Sequence, residues 1–175
     1  MGMAGASSRS TIKNVVLTRT IEAGGNYEEF DVVSNSSSAG TVWTFPEVAS
    51  SNGGSGRIIG AVDMWETTDI TPRLTLYLFH TTPTSNLNDA APNTAVLHAD
   101  VAKFIGKIDF AQMGNLGTLG DVISSATPST VGGIPLTFTC ASGVDDIYGI
   151  VIINEAETAE NAGHELTIVL QVEQW

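Results

Sequence analysis

The sequence predicts an all-β protein, an antiparallel β-sandwich of jelly-roll type with one short helix. Strand-like runs with apolar residues at alternate positions recur along the chain, and only one short segment has helical spacing. Eighteen glycines, with many Ser, Thr and Asn residues, suit the turns between short strands. Strands that do not alternate with helices favour an antiparallel sandwich, and the long crossovers 81–99 and 111–133 fit Greek-key or jelly-roll connections.

Taken in order along the chain, the strand candidates share β-branched or alternating apolar residues between turn signals. They are Lys13–Thr20, Tyr27–Val33, Thr41–Phe45, Ile58–Trp65, Leu74–His80, Ile134–Cys140, Ile147–Ile153 and Leu166–Val172, with Ile105–Phe110 as a further short candidate. Leu74–His80 has the clearest period of two, and the nearly continuous apolar run Ile147–Ile153 predicts a central strand covered on both faces. Asp100 is the predicted N-cap of the single helix, which continues through Val101 to Ile105. Segment 111–133 is glycine-rich and weakly patterned, and we expect a surface excursion or an oligomer contact there.

The composition indicates one folded domain that carries an acidic surface. The 175 residues are 42% hydrophobic and carry a net charge of −12, from 7 basic and 19 acidic residues. Such a field repels phosphate backbones and anionic lipid surfaces, so we expect neither a nucleic-acid partner nor a membrane partner.

The charge is unevenly distributed. Arg9, Lys13 and Arg19 precede the first acid, Glu22, so the N-terminal stretch carries +3 and the remainder −15. We therefore divide the chain into a basic N-terminal arm, 1–21, and a sandwich domain, 22–175. Either this stretch is an ordinary terminus followed by a surface strand, or it is an arm that docks on an acidic partner.

Motifs for catalysis are incomplete. His164–Ile168 begins like the zinc-protease pattern HExxH but has Ile168 at the second histidine position, on a strand pattern where i and i+4 do not converge. Gly53–Arg57 resembles a GxSxG turn but has arginine at its last position and no following helix. Cys140 is alone in an apolar alternation, which indicates a buried, inert thiol. We expect no enzyme activity, no catalytic residue, no metal and no cofactor.

Two acidic clusters and the tryptophans leave alternatives open. The clusters are Asp63, Glu66 and Asp69, and Glu155, Glu157 and Glu160. Oxygen-rich loops can hold calcium, yet neither cluster has a calcium-loop spacing, so solvated loop acids are the favoured interpretation. Trp43 and Trp65 lie in strand patterns, which favours core packing over a sugar-stacking platform, and Trp175 is a candidate interface anchor.

The start of the chain, MGMAGASSRS, lacks the apolar segment of a signal peptide, and no apolar run reaches the length of a spanning helix. We therefore expect synthesis and use in a cytoplasm-like compartment.

The stretch IIGAVDMW…LTLYLFHTTPTSNLND…DVAKFIGKIDF, followed by IPLTFTCASGVDDIYGIVIINEA and ELTIVLQVEQ, resembles decoration (cement) proteins of tailed-bacteriophage capsids. The shared pattern covers residues 57–173: an apolar strand, an LxLxLF strand, a short helix ending in IG and a late D-x-YGIxI strand. The resemblance implies a β-sandwich oligomer on the virion exterior that binds the major capsid protein and stabilises the shell.

For this function, Arg9, Lys13 and Arg19 are the predicted capsid-binding residues, and Leu116 and Leu119 are the predicted oligomer contacts. A homotrimer is favoured over a dimer. The alternative function is a carbohydrate-binding β-sandwich module or adhesin of a phage particle, and its mark would be exposed aromatic side chains beside acidic loops.

Overall fold

Two antiparallel sheets face each other across a hydrophobic core in the computed structural model, which describes residues 10–22, 26–67, 70–117, 121–128, 133–158 and 163–175. The predicted all-β sandwich is confirmed. The strands of the described residues are β1 Thr11–Thr20, β2 Val32–Val33, β3 Trp43–Phe45, β4 Ser55–Trp65, β5 Arg73–Phe79, β6 Phe104–Gln112, β7 Gly114–Asn115, β8 Val122–Ala126, β9 Leu136–Thr139, β10 Ile147–Ile153 and β11 Glu165–Gln174. A short 3-10 helix, His98–Lys103, precedes β6.

The strand pairing is that of a jelly roll. Sheet I has the order β1-β11-β4-β8-β7, with β9 also paired to β4, and sheet II has the order β2-β10-β5-β6, with β3 also paired to β10. β8 and β9 pair with different parts of β4, and β2 and β3 with different parts of β10, so each pair occupies one strand position. First strands thus pair with last, β1 with β11 and β2–β3 with β10, while β4 pairs with β8–β9 and β5 with β6, as in a rolled-up long hairpin.

The core follows from the alternation in the sequence. On β5, Leu74, Leu76 and Leu78 are fully buried between the sheets, as the period of two predicts. On β11, Leu166, Ile168, Leu170 and Val172 are likewise fully buried. Each such leucine or isoleucine contributes about 1.5–3 kcal/mol by leaving water.

Strand β10 is covered on both faces, as its apolar run predicts. Val151 and Ile153 belong to the core between the sheets. Ile150 and Ile152 belong to a second cluster on the outer side of sheet II, beneath the crossover that joins β5 to β6. The crossover therefore forms a partial third layer.

Two strand predictions need correction. Residues 27–31 of the predicted strand Tyr27–Val33 are largely a turn, because the Asp31 carboxylate accepts the Glu28 N–H at 2.8 Å and holds it there. Segment 111–133, for which we expected a surface excursion or an oligomer contact and no strand, contains the end of β6, β7 and β8 in its described part. The inward residues of β8 include Ser124 and Ala126, which lie beside β4. Because both are small, they do not produce the apolar alternation that predicts a strand.

The helix prediction was wrong in its cap. Leu97, not Asp100, occupies the N-cap position, and it makes no side-chain cap hydrogen bond. Asp100 lies inside the helix with its side chain fully buried, and it binds the crossover at Thr84 and Ser85 instead. Several donors compensate a buried carboxylate better than one capping contact would.

Residues 11–20 of the predicted basic arm form the edge strand β1, which pairs with β11 along its whole length. The strand predicted at Lys13–Thr20 is thereby confirmed, and Arg9 lies outside the described residues.

Candidate functional site

Arg19 closes the open edge of the sandwich. Its side chain lies on the inward face of β1 together with the buried Val15, because residues two apart share a face of a strand. The guanidinium donates hydrogen bonds to the carbonyl oxygens of Thr41 at 2.6 Å and Val42 at 2.7 Å, and it lies 4.6 Å from the ring centre of Trp43. Burial lowers the pKa of Arg19 to about 10. The guanidinium of Arg19 is therefore engaged in contacts within the chain.

Lys13 makes a second contact between the inward face of β1 and the segment that follows β3. Its ammonium contacts the Glu47 carboxylate at 2.6 Å and the Glu47 carbonyl oxygen at 3.1 Å. The hydrogen bond from Lys13 and its charge lower the pKa of Glu47. Capsid binding by Arg9, Lys13 and Arg19 stays a prediction, and the internal contacts of the latter two were not foreseen from the sequence.

Leu116 lies just after β7, at the edge of sheet I opposite β1. Its side chain is 62% exposed, and its N–H bonds the Asp121 carbonyl at 3.2 Å. Leu119 lies outside the described residues. Oligomer contact at these leucines stays a prediction.

The outer face of sheet I is unusually apolar. Val16, Val169 and Val62 lie side by side on β1, β11 and β4, and Met64 lies beside Ile123 of β8 in the next row. We call these five residues the apolar band. Val16 is 58% exposed, and the other four are partly exposed. An antiparallel sheet that faces water on one side normally carries polar residues there.

Uncharged polar residues lie within and on one side of the apolar band. Thr18 and Thr167 share the row of Met64 and Ile123, and the row on the other side of Val16 contains Asn14 and Gln171. Charged residues lie at both ends of this face: the exposed Glu165, beside Glu66, follows the row of Met64, and the ion pair between Arg57 and Glu173 lies next to Ile12. In a chain of net charge −12, the apolar band is therefore an uncharged patch between charged ends.

The outer face of sheet II differs from that of sheet I because a crossover covers part of it. The crossover between β5 and β6 packs Leu87, Ala95 and Val96 against the cluster formed by Phe79, Ile150 and Ile152. Two buried carboxylates of the crossover hold it in place. Asp89 accepts the Tyr27 hydroxyl at 3.0 Å and the Ser34 N–H at 2.6 Å, and the other is Asp100.

The Asp100 carboxylate accepts hydrogen bonds from five groups. They are the N–H and hydroxyl of Thr84, the N–H and hydroxyl of Ser85, and the Lys103 ammonium, all at 2.9–3.0 Å. Burial by itself would raise the pKa of Asp100, but these donors together hold it well below its usual range.

The uncovered half of sheet II forms an open groove of about 460 Å³. A row of polar side chains crosses its floor from β10 through β5 to β6. The Asn154 amide donates to the Thr75 hydroxyl at 3.0 Å, and that hydroxyl donates to the Asp109 carboxylate at 2.7 Å. The Lys107 ammonium approaches the same carboxylate at 2.9 Å.

Aromatic and charged side chains border the groove. Phe30 is 50% exposed and has a left-handed backbone, with φ 70°, while Tyr77 is partly exposed beside Lys107. Arg73 faces Glu155, with Nε and Oε1 3.7 Å apart. No sequence motif indicates this groove, because its residues occur singly on separate strands.

The sugar-stacking platform considered for Trp43 and Trp65 is absent. Both side chains are fully buried, which confirms core packing, and the Trp43 indole donates to the Val33 carbonyl at 3.1 Å. Trp175 is 48% exposed beside His80 in a second, smaller hollow.

The candidate metal and catalytic residues do not converge. Across the parts of the chain that the structure describes, no three His, Cys, Asp or Glu side chains meet as metal ligands. Glu66 accepts the Glu165 N–H at 3.2 Å, and Asp69 and Glu160 lie outside the described residues. Cys140 is buried as predicted, and burial raises the pKa of its thiol to about 11.

Asp63, in the first of those acidic clusters, lies in the core itself. It is fully buried on β4 between Ile168 and Ser124, and neither carboxylate oxygen has a hydrogen-bond partner. Burial raises the pKa of Asp63 to about 8, against a partial lowering by backbone N–H groups of Asp63 and Ser124. The neighbouring Ser124 hydroxyl and Trp65 indole N–H are also unpaired.

No helix in the described residues is long and apolar enough to span a membrane. No model of a known protein family matches the chain, and no curated protein matches it.

Proposed function

We propose that the chain is a decoration protein of a tailed-phage capsid, which binds the outside of the assembled shell and stabilises it. The observation that supports this function best is the apolar band on sheet I. Contiguous exposed apolar surface on a stable sandwich is typical of a protein–protein interface. The resemblance of residues 57–173 to decoration proteins supplies the class of partner.

The apolar band and the row of Asn14 and Gln171 form the centre of such a contact. Four strands about 4.8 Å apart over about five residues give a face of roughly 19 by 17 Å, or about 320 Å² in projection. A stable interface buries about 800 Å² per partner, so the contact extends from this centre over neighbouring surface. An uncharged centre also lets a strongly acidic chain approach another acidic surface without like-charge contact at that point.

Stabilisation of the shell follows from mass action. A protein that binds only the assembled capsid lowers the free energy of that state, by an amount that grows with its concentration relative to Kd. The site spans neighbouring capsid subunits, and the basic residue Arg9 stays a predicted contact with the shell. Self-association at Leu116, on the opposite edge of sheet I, leaves the apolar band free for the capsid.

The test is co-sedimentation of the purified chain with undecorated expanded capsids of its phage. Val16→Lys places a charge in the apolar band, and we expect it to reduce capsid affinity by at least about tenfold because the lysine must be desolvated on docking. Val101→Lys is the matched control, since Val101 is 59% exposed against 58% for Val16 but lies in the 3-10 helix beside sheet II. Absence of binding by the unaltered chain at micromolar concentration, or equal binding by both variants, would overturn the proposal.

A further inference from the structure

The groove on sheet II has a balanced charge in a strongly acidic chain. Its border and floor contain two cations, Arg73 and Lys107, and each lies beside an acid, Glu155 or Asp109. A site for a phosphate or another anion would carry an excess of positive charge. The balance favours an uncharged ligand.

The polar groups of the floor are fixed before any ligand arrives. Thr75 is 3% exposed, and its hydroxyl both accepts from Asn154 and donates to Asp109. The outer atoms of Asn154, Asp109 and Lys107 thus offer an amide, a carboxylate and an ammonium in one row across three strands. A ligand with adjacent hydroxyl groups, each able to donate and accept, complements such a row.

Aromatic surface lies next to this row. Phe30 is half exposed and keeps a left-handed backbone, which a bulky residue adopts only when its surroundings enforce it. Such strained residues are concentrated at ligand sites. The apolar C–H face of a sugar ring packs well against aromatic rings such as Phe30 and Tyr77.

A peptide is a poorer occupant than a saccharide. Extended peptides bind by adding a strand to a free sheet edge. The groove lies on the face of β5, which has strand partners on both sides, β10 and β6, so its backbone groups are already engaged. Binding here depends on side chains alone.

We propose that this groove binds a neutral saccharide of one or two rings, a role beyond shell stabilisation. The cavity volume lies within the range of small-molecule sites. Since the outer faces of the two sheets point in opposite directions, a chain docked through sheet I presents the groove away from the shell.

The experiment begins with the full chain on a glycan array that carries neutral, uronic and sulfated oligosaccharides. The strongest neutral glycan is then titrated by calorimetry against the unaltered chain and its variants. We expect Asp109→Asn and Phe30→Ala each to weaken binding about tenfold or more, because a hydrogen bond to a charged group has about that effect and the stacking surface is lost. Ser125→Ala, an exposed substitution on sheet I, serves as the matched control and leaves affinity unchanged.

Several outcomes would overturn the saccharide site: no glycan bound at millimolar concentration, binding to charged glycans alone, or full affinity in both groove variants. Thermal melting of each variant separates lost binding from lost folding, and Tyr77→Phe tests the tyrosine hydroxyl without removing the packing of the ring. We expect capsid co-sedimentation of Asp109→Asn to stay unchanged. The saccharide site and the capsid-binding function are therefore tested independently.

Discussion

The two sides of the sandwich contain the same fully buried side chain in opposite surroundings. Asp100, in the crossover on sheet II, is compensated by donors from Thr84, Ser85 and Lys103. Asp63, in the core next to sheet I, has no hydrogen-bond partner for either oxygen. Burial alone therefore does not decide whether a carboxylate stabilises a fold, because the hydrogen-bond donors around it decide this.

The two residues consequently respond to pH in opposite directions. The pKa of Asp100 is lowered in the folded state, so its contribution is present above the ordinary pKa of aspartate and is lost as the pH falls through the folded-state value. The pKa of Asp63 is raised to about 8, so its contribution is present below the ordinary value and is lost as the pH rises towards 8. A fall in pH below the ordinary pKa of aspartate thus weakens the crossover, and a rise in pH from about 4 to about 8 weakens the core.

The largest effect is expected for Asp100→Ala. It leaves the Lys103 ammonium and the donors of Thr84 and Ser85 without their acceptor, which we expect to lower the free energy of unfolding by about 3–5 kcal/mol. Urea denaturation at pH 7 measures the change.

Asp146→Ala is the control for that substitution. The Asp146 carboxylate accepts one backbone N–H, that of Glu47 at 3.2 Å, so its loss costs about 1 kcal/mol. Equal effects of the two substitutions would contradict the role given to Asp100.

Asp63→Asn is expected to have an intermediate effect of opposite sign. The amide is similar in shape and cannot ionise, so the variant should be more stable than the unaltered chain by at least about 2 kcal/mol at pH 8 and nearly equal to it at pH 4. Thermal melting between pH 4 and pH 9 follows the difference. A constant gap across that range would show that Asp63 does not titrate in the folded chain.

The smallest effect is expected for Ser124→Ala. The buried hydroxyl has no partner, so its removal should change the free energy of unfolding by less than about 1 kcal/mol. A loss well above that in urea denaturation would reveal a hydrogen bond from Ser124 to Asp63, and the contrast between the two aspartates would then be weaker.

Local patterns predicted most of the fold because alternation fixes which residues of a strand are inward. Leu74–His80 and Leu166–Val172 were identified for this reason. β8 was missed because its inward residues include Ser124, and Tyr27–Val33 was extended too far because the Asp31 side chain competes for backbone N–H groups. Polar side chains that bond the backbone are invisible to a hydropathy pattern.

The functional surfaces were harder to predict because tertiary topology assembles them. The sequence shows that Lys13 and Arg19 are cations, but not that carbonyl oxygens of residues 41, 42 and 47 lie opposite them. The groove draws single residues from β5, β6 and β10, and the apolar band draws its residues from four strands. Which side chains become neighbours on these surfaces depends on pairing between strands far apart in the sequence, and the pattern of a single strand does not show its partner.

The pairing of β1 with β11 also determines how the chain resists mechanical load. Thr11 lies opposite Gln174, and Thr20 lies opposite Glu165, so the outer ends of both strands lie at one corner of sheet I. Tension between residues 11 and 174 is directed along the hydrogen bonds of the ladder and breaks them one pair after another. Tension spread across the face of sheet I loads many contacts at once, so the chain resists a load on this face better than a pull on the outer ends of β1 and β11.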